Sequence, residues 1–137
     1  MRRKITVAAL WVSLLVPVLA GCSLQRMDAE RIRDIEYTLA DKEKLPEELR
    51  EMIREEEGKP AEFSYGDQGI LYAVKAYEEQ DTGGYSVQVT DCYESETAVV
   101  VETTLLGPEK DETAADASTW PWIALKMEYT DKPVLFQ

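Results

Sequence analysis

The sequence predicts an α+β domain in which a small antiparallel sheet of five or six strands packs one face against one helix. Three observations support this prediction. Residues 46–57 form an amphipathic helical segment, several short β-prone runs are separated by turn residues, and Gly83-Gly84 opens a strictly alternating strand at Tyr85. Many strands and a single helix pack as a sheet with the helix on one face. A small β-sandwich or a partly open barrel is the alternative.

The N-terminus has the features of a secretory signal. A basic start, Met1–Lys4, precedes an apolar run over residues 5–18, and Leu19-Ala20-Gly21-Cys22 closes the segment. The apolar run is shorter than the roughly 20 residues that a membrane-spanning helix needs. We therefore expect residues 1–21 to be a signal peptide.

Leu19-Ala20-Gly21-Cys22 resembles the lipobox of bacterial lipoproteins. The resemblance implies a diacylglycerol on the Cys22 thiol and cleavage before Cys22. Two or more acyl chains, such as palmitate, anchor a protein durably, whereas one is marginal. We expect a lipid anchor in the cell membrane and a domain on its extracytoplasmic side. The alternatives are an ordinary signal peptide, in which Cys22 has no role, and an uncleaved helix.

The segment after the signal is predicted to be a tether followed by a short strand. Residues 22–33 are polar and carry both signs of charge, which is typical of a tether. Residues 34–39 then alternate, with Ile35, Tyr37 and Leu39 on one face. We therefore expect the folded domain to span residues 34–137.

The one predicted helix spans Pro46–Glu57. Proline suits the first helical position, and Gly58 and Pro60 favour an end just beyond the segment. Its acidic run is interpreted as a solvated face. One apolar stripe lies along it, formed by Leu45, Leu49, Met52 and Ile53.

The strands after the helix include a buried central strand and a hairpin. The nearly continuous apolar run Ile70–Tyr77 predicts a strand covered on both faces. Residues 85–93 and 97–106 predict a hairpin, and residues 107–118 a polar excursion. Shorter or later strands are predicted at residues 62–65, 123–129 and 134–136.

Histidine is absent from the chain. A serine–histidine–aspartate triad, a cysteine–histidine pair, a histidine-ligated zinc and a histidine general base are therefore excluded within it. No Gly-rich phosphate loop is present. Paired carboxylates can hydrolyse glycosides, but so small a domain leaves little room for the cleft that this needs. We expect no enzyme activity and no cofactor.

The net charge of −12 restricts the partners. The signal carries basic but no acidic residues, so the mature chain is more acidic still. Such a chain repels nucleic acid and favours a basic or neutral partner surface. The acidic residues of the loop 108–118 lack the spacing of a calcium loop, so a solvated loop is preferred to a metal site. These residues are Glu109, Asp111, Glu112 and Asp116.

Cys92 is interpreted as a small core or half-buried residue rather than a reactive thiol. If Cys22 is lipidated, no second thiol remains in the chain for an intramolecular disulfide.

Aromatic residues flank the predicted turns at Tyr85, Trp120 and Trp122. Tryptophan and tyrosine are common anchors in protein interfaces. For Tyr85 and Trp122 a core position at the start of a strand is the preferred interpretation. Trp120, just before Pro121 at the end of a polar loop, is the one expected to be exposed.

Three short motifs recur around the predicted turns: Thr82-Gly83-Gly84-Tyr85-Ser86-Val87, Gly107-Pro108 and Thr119-Trp120-Pro121-Trp122. Together these motifs resemble the C-terminal domain of the PrcB-like proteins. The chain departs from that family at Asp81, where proline is frequent, and at Trp122, where tyrosine is usual.

The PrcB-like resemblance implies a lipoprotein that stabilises an extracellular subtilisin-like protease complex as an accessory subunit, without catalytic residues of its own. The leading hypothesis is therefore a lipid-anchored, non-enzymatic module that binds an extracytoplasmic protease or another envelope protein. The predicted contact residues are Thr82, Gly83, Gly84, Tyr85, Thr119, Trp120, Pro121 and Trp122.

Two other functions remain open. The same two turns loosely resemble the loops of chagasin-like cysteine protease inhibitors, so the chain could be a protease inhibitor. It could also be a structural envelope lipoprotein or a small-ligand binder, which a deep apolar pocket would favour. The position of the turns decides between binding and architecture: they form one surface only if they lie at the same end of the sheet.

Overall fold

The computed structural model describes residues 30–109 and 116–137 of the chain. The signal peptide, Cys22 and most of the predicted tether lie outside these ranges, as do Asp111 and Glu112 of the acidic loop. In the two described ranges, no helix has both the length and the apolar character needed to cross a membrane.

The described residues form eight strands and one α-helix. The strands make two sheets of four, in the orders β1-β5-β6-β8 and β2-β7-β4-β3. A short 3-10 turn, Lys42–Lys44, precedes the helix. In chain order the elements are β1 Arg33–Asp34, β2 Thr38–Leu39, α1 Glu47–Glu55, β3 Ala61–Asp67, β4 Ile70–Ala76, β5 Ser86–Glu94, β6 Val99–Leu106, β7 Trp122–Glu128 and β8 Val134–Phe136.

The α+β class is confirmed, but the prediction of one antiparallel sheet is wrong. Strands β4 and β7 are apolar on both faces, and the helix covers only one of them. The second sheet covers the other face, so the molecule contains the sandwich that the sequence left as an alternative. The last strand adds a further difference, because β8 pairs with β6 in parallel.

Residues 34–39 do not form the single strand that their alternation predicted. Arg33–Asp34 pairs with β5 in one sheet, whereas Thr38–Leu39 pairs with β7 in the other. The chain crosses between the sheets here, so the alternating face is not buried as a unit. Ile35 packs on the core between the sheets, while Tyr37 and Leu39 are 37% and 56% exposed.

The core between the two sheets is made by the inward side chains of β4, β5, β6 and β7. The central position of β4 is confirmed, since it lies between β3 and β7 and its alternate residues enter two different cores. The buried members of this core are Leu71, Ala73, Cys92, Val99, Val101, Ile123, Leu125 and Met127.

The predicted helix is confirmed, with an end at Glu55 rather than Glu57. Leu45, Leu49 and Ile53 are buried against Tyr72 and other residues on the outer face of the β4–β7 sheet. The Tyr65 hydroxyl on β3 donates a hydrogen bond of 2.7 Å to the Glu48 carboxylate. That bond raises the pKa of Tyr65 to about 12.

The predicted hairpin is confirmed as β5 and β6, but the alternation of β5 changes phase within the strand. The pairing register shifts between Val89 and Asp91, which is a β-bulge. The bulge brings Cys92 into the same core as Val87 and Val89. Cys92 is 5% exposed, as its interpretation as a core residue predicted. Burial raises the pKa of its thiol to about 11, so it is a poor nucleophile.

Candidate functional site

The two turns singled out by the sequence lie side by side. Gln80 and Thr119 form an isolated antiparallel bridge with backbone hydrogen bonds of 2.7 and 3.0 Å. The Thr119 hydroxyl also donates a bond of 2.8 Å to the Thr82 carbonyl. The structure therefore places Thr82–Tyr85 and Thr119–Trp122 at the same end of the molecule. We call these eight residues the two-turn surface.

The two-turn surface continues the pairing of β4 and β7. The last ladder pair is Ala76 with Trp122, and the Tyr77 amide then donates a bond of 3.0 Å to the Pro121 carbonyl. The Tyr77 hydroxyl lies 2.7 Å from the Thr103 hydroxyl oxygen on β6 in the other sheet. Backbone and side-chain bonds thus hold the base of the surface to both sheets.

The Gly107-Pro108 motif supports the first turn from the opposite strand of the hairpin. Gly84 has a φ of +88°, and a Cβ there would lie 3.0 Å from Cβ of Pro108. A Cβ at Gly107 would in turn lie 3.0 Å from Cε1 of the Tyr85 ring. Gly84 is favoured by its backbone conformation, whereas a Cβ at Gly107 would require the Tyr85 ring to shift by a few tenths of an ångström. The three motifs that are separate in sequence form one contiguous unit.

Of the two adjacent glycines, Gly84 has a positive φ and Gly83 does not. The sequence pattern placed Tyr85 inside the strand, whereas β5 begins at Ser86. Tyr85 is half-buried and lies outside the core between the sheets, because its ring rests on Gly107. The side chain therefore belongs to the turn and not to the alternating strand.

Trp120 is half-buried rather than exposed as predicted. Its indole Nε1 donates a bond of 3.0 Å to the Lys59 carbonyl, which follows the helix. Its ring centroid lies 6.2 Å from that of Trp122, and both rings pack against the core under the helix. Pro121 between them is buried. Each tryptophan is therefore packed against the core and remains partly exposed.

Lys42 was not recognised from the sequence as part of this region. Its ammonium lies 4.0 Å from the centroid of the Trp122 ring, which is a cation–π contact. Burial there lowers the pKa of Lys42. Lys42 and Lys59 belong to separate charged segments without a motif, so only the tertiary structure reveals their contacts with the tryptophans.

The groups at the two-turn surface are suited to non-covalent contacts. The surface offers aromatic edges, a threonine hydroxyl and backbone groups in fixed positions, which suit recognition of another protein. In the part of the chain that the structure describes, no group of three or more acidic, cysteine or histidine side chains is arranged to hold a metal ion. Cys22, the predicted lipidation site, lies outside the described residues.

Comparison with known proteins gives one match. Residues 71–128 match the family described as PrcB C-terminal. No curated protein and no solved structure matches the chain. The matched range begins in β4, ends with β7 and contains all three motifs of the two-turn surface and its support. Residues 71–128 are therefore similar to the PrcB C-terminal family, as their motifs predicted.

Proposed function

We propose that the chain is a lipid-anchored, non-enzymatic accessory module that binds and stabilises an extracytoplasmic protease. The PrcB C-terminal match supports an accessory role in a protease complex. The Leu19-Ala20-Gly21-Cys22 motif supports an anchor through Cys22 and a position on the outer side of the cell membrane. The contact is made by the two-turn surface.

The observation that carries this proposal is the hydrogen bond of 2.8 Å from Thr119 to the Thr82 carbonyl, together with the Gln80–Thr119 bridge. These bonds join two turns that are 37 residues apart in sequence. They hold aromatic side chains beside a rigid backbone at one end of the sandwich. A preorganised aromatic surface loses little conformational entropy when a partner binds, which favours affinity.

A non-enzymatic role agrees with the chemistry of the described residues. The chain has no histidine, and its described thiol, that of Cys92, is buried between the sheets. Among the described residues, buried apolar side chains pack together between the sheets, which favours a binding surface over a small-ligand pocket.

Co-purification from the native membrane tests the proposal, with two threonine substitutions as a matched pair. Thr82→Arg adds a long cation to the two-turn surface, where the structure uses only the Thr82 carbonyl. Thr97→Arg makes the same change in the exposed turn at the other end of the β5–β6 hairpin. We expect the full-length chain and Thr97→Arg to recover a stoichiometric protease and Thr82→Arg to lose it. Recovery of no stoichiometric partner by any of the three chains would contradict the proposal.

Membrane anchoring is tested separately. We expect Cys22→Ser to remove acylation and to move the chain from the membrane fraction to the soluble fraction. Metabolic labelling with a radioactive fatty acid, followed by cell fractionation, measures both effects. Equal labelling of the wild-type chain and Cys22→Ser would place the lipid elsewhere or exclude it.

A protease inhibitor is the second candidate, because the same adjacency of two turns on a sandwich would also suit insertion into an active-site cleft. The two roles predict opposite effects on activity. An accessory module preserves or raises the activity of its protease, whereas an inhibitor lowers it. Assays of papain-type and subtilisin-type proteases with the full-length chain distinguish them.

A further inference from the structure

A groove lies between helix α1 and the tryptophans of the two-turn surface. It has a cavity volume of about 270 Å³. Its apolar lining comes from Leu45 before the helix, Ile53 on the helix, and the rings of Trp120 and Trp122. The volume is slightly below the roughly 300–1,000 Å³ of small-molecule sites, so the groove suits one or two side chains of a peptide.

The charges around this groove are opposite to those of the chain as a whole. Lys42, Arg50 and Arg54 line it with a single acid, Glu57, although the net charge of the chain is −12. Arg50 and Arg54 are one helical turn apart, so their side chains share a face of α1. Three cations thus converge on one small apolar depression.

The two arginines have no carboxylate partner among the described residues. Lys42 is held over the Trp122 ring and likewise forms no ion pair in the described ranges. Cations without a carboxylate partner among the described residues, beside a partly desolvated surface, attract a carboxylate strongly, and guanidinium groups bind it through paired hydrogen bonds. The positive charge of the groove therefore favours an acidic ligand.

We propose that this groove binds an acidic peptide segment of the partner protein. Arg50 and Arg54 hold its carboxylates, and an adjacent apolar or aromatic side chain enters between Ile53 and the two tryptophans. The inference rests on the proposed function, because Trp120 and Trp122 belong both to the groove and to the two-turn surface. It adds the chemistry of the partner, which that function leaves open.

Selection from a random dodecapeptide library on the full-length chain in detergent tests this proposal. The probe variant is Arg50→Gln/Arg54→Gln. The matched control is Lys44→Gln/Lys126→Gln, which removes the same charge from residues that do not line the groove. We expect enriched peptides with two or more acids next to an aromatic residue. Their affinity should fall about tenfold or more in the arginine variant and less than twofold in the control.

Several outcomes would overturn the inference. Enrichment of basic or neutral peptides would do so, as would acidic peptides that bind the arginine variant as well as the wild-type chain. A dimer in light scattering that Arg50→Gln/Arg54→Gln abolishes would assign the groove to a second copy instead. If the native partner is recovered equally by the wild-type chain and the arginine variant, the inference fails while the accessory function stands.

Discussion

The two ends of the sandwich use their cations in different ways. At the end that carries the β5–β6 turn, Glu94 accepts bonds of 2.6 Å from both Arg33 and Lys132. Lys132 also donates a bond of 2.8 Å to the Ser95 carbonyl. At the other end, Arg50 and Arg54 line a groove and have no carboxylate partner among the described residues.

The difference separates cations that hold the fold from cations that we propose bind a ligand. Arg33 and Lys132 fix β1 and the turn before β8 onto the end of β5. The hydrogen bond from Lys132, followed in size of effect by that from Arg33, lowers the pKa of Glu94. The two bonds therefore stabilise its carboxylate in the charged form. Removing these cations should affect stability, whereas removing the groove arginines should affect only binding.

The largest expected effect on stability comes from truncating a buried side chain of α1, the helix that lines the groove. Leu49 on α1 is completely buried, so Leu49→Ala should lower the free energy of unfolding by about 3 kcal/mol through lost burial and a cavity. Leu135→Ala, at a leucine that is 36% exposed, is the control and should cost less than about 1 kcal/mol. Urea denaturation measures both. Equal losses would show that the helix is not packed as described.

The next effect concerns the turn that supports the two-turn surface. Gly84→Ala should cost about 2 kcal/mol, since alanine is strained at a φ of +88° and its Cβ would lie 3.0 Å from Pro108. Gly69→Ala is the control for backbone strain without crowding. Gly69 has a φ of +84°, but no atom lies within 4 Å of a Cβ added there. That control should cost about 1 kcal/mol. A cost for Gly84→Ala no larger than that for Gly69→Ala would argue against the contact with Pro108.

A smaller effect, visible as a pH dependence, is expected at the end where charges are paired. The folded pKa of Glu94 lies below its ordinary 4.5, so its ion pairs stabilise the fold above that pH. This stabilisation is lost as the pH falls through the folded pKa. We expect Glu94→Gln to be less stable than the wild-type chain at pH 6, with the difference shrinking towards pH 3. Parallel stability curves over this range would contradict the pairing.

The smallest expected effect is on stability at the groove. Arg50→Gln/Arg54→Gln should change the free energy of unfolding by less than about 0.5 kcal/mol, because no described ion pair is lost. Thermal unfolding of the variant and of the wild-type chain at neutral pH measures this change in the free energy of unfolding. A loss as large as that of Leu49→Ala would show that the arginines hold the fold and would remove the contrast between the two ends.

Elements of the fold were predictable from the sequence where their hydrophobic pattern lies within one segment of the chain. The apolar stripe of α1, the continuous apolar run of β4 and the β5–β6 hairpin each lie within one segment, and all three were predicted. The division into two sheets was not, because it depends on which distant strand pairs with which. Residues 34–39 illustrate this limit. Polar and apolar residues alternate there, but the first part pairs with one sheet and the last part with the other.

The candidate site shows the same limit. The glycines, the aromatic residues and the family resemblance identify the residues of the two turns, but only the tertiary structure shows that the turns are adjacent. The groove is not predictable from the sequence, because Lys42, Arg50 and Arg54 lie in segments where charges of both signs alternate. Nothing local distinguishes a cation that faces a carboxylate from one that does not. The overall charge of −12 instead favoured a basic or neutral partner, which differs from the acidic peptide inferred for the groove.

Site-specific photo-crosslinking in native membranes tests most directly whether the two-turn surface contacts a partner. A photoreactive amino acid is placed at Thr82, and in a second full-length chain at Thr97, at the other end of the β5–β6 hairpin. We expect the probe at position 82 to give one discrete adduct with an extracytoplasmic protease and the probe at position 97 to give none. Adducts of equal yield from both positions, or none from position 82, would contradict a partner contact at this surface.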